Sequence, residues 1–250
     1  MRSDAFFVKG QSHDICQDYA KSFGDLITVS DGCSVIRDGD KCIKHPSSDV
    51  AARILCWEAS MSKGSEDFLQ HLKFTSKAYN LSLDATLLSV KCLGPDSIYL
   101  YWYGDGAVCI EYKDGLTQVA IRHYDPNMPL YVSYLINDKQ MLAYLNHAPK
   151  VTDKNTLYKT WTKIEDLNRP PILPGLIQGV KSISLFSDGI GDIYTPNGKL
   201  DTIKAIEALT SFKRTNGEFV LARMKAQLRE WASKNIYPND DLSMATLILE

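Results

Sequence analysis

Short apolar runs that stop on an aspartate and turn on a glycine constrain this chain more than anything else in it. Ile27-Thr28-Val29-Ser30 ends at Asp31 and Gly32. Tyr99 to Gly104 ends at Asp105 and Gly106, and Ile183 to Ser187 ends at Asp188 and Gly189. A fourth run, Leu242 to Leu249, is entered through Asp240 and Asp241. Runs of this length read as strands and Asp-Gly reads as a turn, so the pattern delivers carboxylates to one edge of a β-sheet. Hard oxygen ligands collected in that way suit Mg²⁺ or Mn²⁺. One Asp-Gly alone is ordinarily just a turn; the weight lies in the repetition.

With 44% apolar residues among 250, the chain can bury a full core, and single β-rich domains commonly reach ~200–250 residues. Basic residues number 28 against 30 acidic, a net charge of −2. That balance speaks against nucleic acid as a partner, which favours a basic excess. Six cysteines, none in Cys-x-x-Cys spacing and none beyond Cys109, argue against a zinc site and against a disulfide framework. The first residues lack a signal peptide's apolar stretch, and no run approaches the ~20 apolar residues of a membrane span. The expectation is a soluble cytoplasmic protein with no membrane partner and reduced thiols.

Strands are predicted over 5–9, 26–30, 84–91, 97–103, 107–112, 180–187 and from 242 onward. Helices are predicted from Ser47-Ser48, with Val50, Ile54 and Trp57 as the inward stripe, and after Ser65, with Phe68, Leu72, Thr75 and Tyr79 facing inward. Two more are predicted over 200–212 and 218–234, the latter with Val220, Met224, Leu228 and Trp231 inward. A tight turn is expected at Arg37-Asp38-Gly39-Asp40. Residues 120–180 hold six of the ten prolines, including Pro170-Pro171 and Pro174-Gly175. They read as short strands and a flap-like excursion, a common setting for substrate control. About ten strands and four paired helices favour an α+β fold over an alternating parallel sheet. No repeat or linker interrupts the chain, so 1–250 is read as one domain.

The ordered set of motifs is more specific than any single member. Gln17-Asp18, Val29-Ser30-Asp31-Gly32, Asp84-Ala85-Thr86, Tyr103-Gly104-Asp105-Gly106, Ser187-Asp188-Gly189-Ile190-Gly191-Asp192 and Asp240-Asp241-Leu242-Ser243 occur in that order. The series resembles the PPM family of metal-dependent protein phosphatases (type 2C), compact bacterial members above all, over nearly the whole chain. The resemblance implies a β-sandwich of two antiparallel sheets flanked by pairs of helices, with metals at one end. It implies that Asp31 bridges two Mn²⁺ or Mg²⁺ ions, that the Gly32 carbonyl joins one, and that Asp188 and Asp240 complete the protein ligands. Asp105 and Asp192 match positions that support a third, weaker ion. Asp18 and Gln17 match a pair that orients bound water, and His13 stands where the family grips phosphate with arginine.

The implied activity is hydrolysis of phosphoserine and phosphothreonine on proteins, by direct attack of a water bridging two ions. The implied partners are a phosphorylated protein substrate and the serine/threonine kinase that phosphorylates it, with the phosphatase a monomer. Four departures stand out: His13 for arginine, Gln17 for glutamate, Gly106 for serine, and Cys33-Ser34 where many members carry Gly-Gly-His. His45 is the one nearby histidine left to stand in as a proton donor. These departures motivate an alternative, a catalytically weak PPM-like regulatory binding module. A cysteine phosphatase built on Cys33 and Arg37 lacks the surrounding anion-cradling pattern. A nuclease lacks a basic surface.

Overall fold

In the computed structural model of this protein the apolar runs form two stacked sheets. The structure describes all residues except 34, 39–40, 45–47, 63, 95–96, 126–127, 147–149, 156–160, 164–171, 177 and 250. Strands β1 (Arg2–Val8), β2 (Tyr19–Ser22), β3 (Leu26–Ser30), β4 (Val35–Asp38) and β5 (Lys41–Lys44) precede helices α1 (Ser48–Met61) and α2 (Ser65–Tyr79). Then come β6 (Leu87–Gly94), β7 (Ser97–Tyr103), β8 (Gly106–Tyr112) and β9 (Thr117–Asp125), followed by α3 (Val132–Leu135) and α4 (Asp138–Asn146). Next are β10 (Lys150–Asn155), β11 (Trp161–Lys163), β12 (Ile172–Leu176) and β13 (Val180–Phe186). A 3-10 turn (Asp188–Gly191) leads to β14 (Ile193–Thr195), β15 (Gly198–Lys199), α5 (Thr202–Thr210), α6 (Phe219–Ala232), β16 (Tyr237–Pro238) and β17 (Leu242–Ile248).

One sheet runs β1-β17-β13-β8-β9-β10-β11 and the other β12-β7-β6-β3-β2, with antiparallel pairing throughout. The period of two along a strand explains how they stack. In β17, Ala245 and Leu247 face the second sheet, where they meet Ile27, Val29, Leu88, Val90 and Leu100. Leu242, Met244 and Ile248 face the other way, into a core roofed by α5 and α6. Every residue of β17 is therefore buried. Ser184 and Thr246, buried under the same roof side, satisfy each other across 2.9 Å. On the outer face of the second sheet, α1 and α2 build a third core with Leu55, Phe68, Leu72, Leu87 and Tyr103. The α+β sandwich with paired helices is thus the observed architecture. No helix among the described residues is long and apolar enough to cross a membrane.

Three local expectations need correction. The inward face of α1 is Ala51, Ala52, Leu55, Cys56 and Ala59, while Val50 and Trp57 are 38% and 49% exposed. Small residues and Leu55 make up the buried face, and of the expected stripe only Ile54 packs partly against that core. Trp57 stacks edge-on against Phe23 at 5.3 Å. In α2, Phe68 and Leu72 are buried as expected, whereas Tyr79 is exposed. Residues 120–180 contain two helices, α3 and α4, that the proline-rich reading left out. Pro174-Gly175, expected in a loop, lies in β12, an edge strand, where a missing N–H is tolerated. Pro170-Pro171, the Gly39-Asp40 turn and His45 lie outside the described residues.

Helix α6 starts without a side-chain cap of its own. Its first amide groups, Val220 and Leu221, instead donate to Asp4 Oδ2 on β1, at 2.6 and 3.2 Å. Asp4→Ala removes this remote cap and is expected to lower stability by about 1 kcal/mol. A shift of the urea midpoint at unchanged slope measures it; an unmoved midpoint would show that water replaces the cap at no cost.

Candidate metal centre

The strand directions bring the acid-bearing turns to one end of the sandwich. β17 enters where antiparallel β13 leaves, so Asp240 and Asp188 share an edge. β8 also enters beside the end of β13, with Ala107 opposite Phe186, which places Asp105 there too. In the facing sheet, β3 and β7 both run antiparallel to β6, so Asp31 and Asp105 emerge at the same end. Two glycines allow the approach. A Cβ on Gly106 would meet the Phe186 carbonyl at 2.6 Å, and its φ of +134° disfavours any side chain. Serine at this position, as the family usually has, would not fit here. A Cβ on Gly189 would collide with the Asp241 carbonyl.

Burial and charge act together on these carboxylates. Burial, and then the charges of Asp188, Asp18, Asp105 and Asp240, hold Asp31 well above the ordinary carboxylate range. Burial, and then Asp105, Asp240 and Asp18, do the same to Asp188. Asp18 is pushed up to about 7 by burial, against the hydrogen bond it accepts from Ser187. Burial raises Asp105 to about 6, with His123 partly opposing. Asp240 is raised chiefly by burial, with the Asp241 backbone N–H and His13 opposing. Burial is the leading cause at all five, and the charges of neighbouring acids add most at Asp31 and Asp188. Among the described residues no three His, Cys, Asp or Glu side chains close on one point as a ligand set. Asp18 Oδ1 and Asp105 Oδ1 are buried with no hydrogen-bond partner. An all-oxygen donor set with orphaned carboxylate oxygens fits a hard divalent cation such as Mn²⁺ or Mg²⁺.

The remaining sequence candidates are placed differently. Burial would raise Asp192, but hydrogen bonds from Lys199 and Asn239 and the Lys199 charge outweigh it and lower it. Its oxygens lie 2.5 Å from Lys199 Nζ and 2.8 Å from Asn239 Nδ2. Its charge bears on Asp240, and its carbonyl and carboxylate hold Asn239, the residue before Asp240. The Gln17 amide donates to Ser48 Oγ at 2.7 Å, at the start of α1. His13 turns to carboxylates: Nε2 is 3.4 Å from Asp240 Oδ1, and Nδ1 is 2.9 Å from Asp241 Oδ2, out of line for a hydrogen bond. Gly32 sits buried at its turn, bridged to Ala85.

Three contributors escaped the sequence reading. Asp241, 1% exposed, accepts the N–H groups of Gly10 and Gln17 at 2.7 and 2.6 Å. Its signal was the acidic doublet itself, since neighbours in an extended chain face opposite ways. Ser187 donates to Asp18 Oδ2 at 2.6 Å and accepts the Ser243 N–H at 2.9 Å. Tyr131, ahead of α3, is held neutral by burial, then by Cys33, Asp31 and Asp105. It puts a phenol beside the acids from a segment with no readable motif.

No family model and no curated protein matches the chain. Solved structures do match along its length. A bacterial serine phosphatase aligns at 16% identity and TM-score 0.56, covering 100% of this chain and 98% of that one. Serine/threonine phosphatase Stp1 from Staphylococcus aureus aligns at 15% and 0.56, covering 99% and 94%. The catalytic domain of serine/threonine phosphatase PstP, solved with two manganese ions, aligns at 13% and 0.54, covering 98% and 96%. What is shared at such identities is the fold, and it is PPM-like.

The raised acids give a signed prediction. Asp18, near 7 when folded, keeps a proton that the unfolded chain, with a carboxylate pKa of ~3.9, has released. The native state then binds more protons, so these groups make stability fall as pH climbs from about 4 to about 7. A divalent cation among the acids cancels that loss. Thermal unfolding with EDTA and with Mn²⁺ should show a larger Mn²⁺-induced rise in Tm near pH ~8 than near pH ~5.5. No rise at either pH would dissolve the metal centre.

Proposed function

We propose that this protein is a metal-dependent serine/threonine phosphatase acting on phosphorylated proteins. What supports the reading is that the strand ends carrying Asp31, Asp105, Asp188 and Asp240 lie at one end of a PPM-like sandwich. Asp31, Asp188 and Asp240, with the Gly32 carbonyl, would hold two Mn²⁺ or Mg²⁺ ions, and Asp105 a weaker third. Bound there, such ions supply an acidified water as nucleophile and positive charge for the phosphoryl oxygens. Asp18, fixed at Oδ2 by Ser187, keeps Oδ1 as an acceptor that orients a water proton. The substrate comes from a serine/threonine kinase, and the free thiols Cys16, Cys56, Cys92 and Cys109 fit a reducing cytoplasm.

One observation favours a second reading, a phosphoprotein-binding module with slow turnover. His13 faces Asp240 and Asp241, so the phosphate-gripping position is engaged with acids. Turnover separates the two. Hydrolysis of a phosphothreonine peptide should vanish with EDTA, return with Mn²⁺, and fall by about 10²-fold or more in Asp31→Asn and Asp188→Asn. Phosphopeptide binding without turnover in the wild type would favour the module. Turnover indifferent to EDTA would remove the metal from the account.

A further inference from the structure

Between α2 and the α3–α4 pair lies a cleft of about 550 Å³, lined in part by Lys73, Lys77, Asn80, Ser133, Asn137 and Gln140. None of its lining residues is acidic, in a chain whose acids outnumber its bases. Lys73 and Lys77 stand one helical turn apart, so both point along one face of α2. Among the described residues neither has a carboxylate within ion-pair distance. Lys77, in the last turn of α2, has a local reason to be there, because cations stabilise a helix C-terminus. Lys73, a turn earlier, has none.

The hydroxyls of the cleft have already spent their protons. Ser76 donates to the Leu81 carbonyl at 2.7 Å. Ser82 and Ser133 donate to the two oxygens of Asp84, at 2.6 and 2.5 Å. That nearby carboxylate is thus covered by hydroxyls on both oxygens. Asn137 Oδ1 accepts the N–H groups of Lys139 and Gln140, leaving its NH₂ group as a donor. What the cleft presents is two ammonium groups and amide donors, a surface made to receive carboxylates. Asp84 follows the cleft residue Leu83 in the chain, and its carbonyl accepts the Cys33 N–H at 2.9 Å, which ties the edge of the cleft to the Asp31-Gly32-Cys33 turn.

We propose that this cleft takes acidic residues flanking the phosphorylated residue of a protein substrate, which rests on the phosphatase reading above. A segment whose phosphoryl group lies at the carboxylates can run its neighbouring side chains between α2 and α4. The exposed lysines would steer it there and favour acidic over neutral flanks. Rim charges of this kind act through the association rate and KM and leave the reacting groups untouched.

Fluorescence anisotropy with a labelled acidic-flanked phosphothreonine peptide, its neutral-flanked twin and a single-stranded oligonucleotide tests this without turnover. Wild type should bind the acidic peptide more tightly than the neutral one. The double variant Lys73→Gln/Lys77→Gln should lose about tenfold for the acidic peptide alone. Lys73→Glu, which leaves the α2 terminus intact, should lose at least as much as Lys73→Gln, and raising NaCl should narrow the gap. Hydrolysis of a small aryl phosphate should be the same in all of them. Equal affinity for the two peptides, an unaffected double variant, or tighter binding of the oligonucleotide would each overturn the proposal. Lysine-dependent peptide binding by a protein with no metal-dependent hydrolysis would uphold the cleft and overturn the phosphatase reading.

Discussion

Asp241 closes the circuit that holds the acids in place. It is almost fully buried at the entrance to β17, and its two oxygens accept the amides of Gly10 and Gln17, more than 220 residues away in the chain. Those bonds hang the loop between β1 and β2 from the far end of the protein. The loop ends in Asp18, Asp18 is held by Ser187, and Ser187 is bonded back to Ser243 in β17. Charge-assisted bonds to buried amides contribute about 1.5–3 kcal/mol each. That is the scale needed to offset a carboxylate taken out of water. The same framework then carries five further acids whose burial, with charge repulsion added, opposes folding in their ionised form. Stability given up at a site and recovered from its scaffold is a common arrangement.

The parts of the site that follow strand geometry were legible from residue order. Asp31, Asp105, Asp188 and Asp240 sit where an apolar run stops, and a strand can end only at a sheet edge. Which edge, and that all four share it, follows from antiparallel pairing. Side-chain aim was not legible. Asp192 lies four residues past Asp188 but turns to Lys199, because the 3-10 turn and the β14–β15 hairpin bring that lysine alongside. His13 and Gln17 sit in the expected loop, yet one faces the acids of β17 and the other faces Ser48.

Amphipathic pattern failed where small residues do the packing. Bulk marks Val50, Ile54 and Trp57 as the inward stripe of α1, but alanines and Cys56 fill that role. The Trp57 ring finds partners outside, against Phe23 and within 5.8 Å of Lys21 Nζ. In α6 the stripe of Val220, Met224 and Trp231 is bulky and buried as predicted, in one cluster with Phe186 and Met244. The period was right for both helices; the inward face was right for one.

The stretch least readable in sequence is tied to the chain that carries the acids. Tyr131 and Ser133, side by side ahead of and within α3, reach Cys33 and Asp84 respectively. Asp84 in turn sits at the strand of chain that backs the Asp31-Gly32 turn, where the Thr86 N–H donates to the Asp31 carbonyl at 2.8 Å. Around α3, a small cluster of Tyr124, Leu130, Tyr144 and Val151 keeps α3 and α4 docked on β9 and β10. Sequence changes in this segment therefore have a short physical path to the carboxylates, through two side-chain contacts. A substrate resting on α4 and the acids at the sandwich end would feel the same few hydrogen bonds.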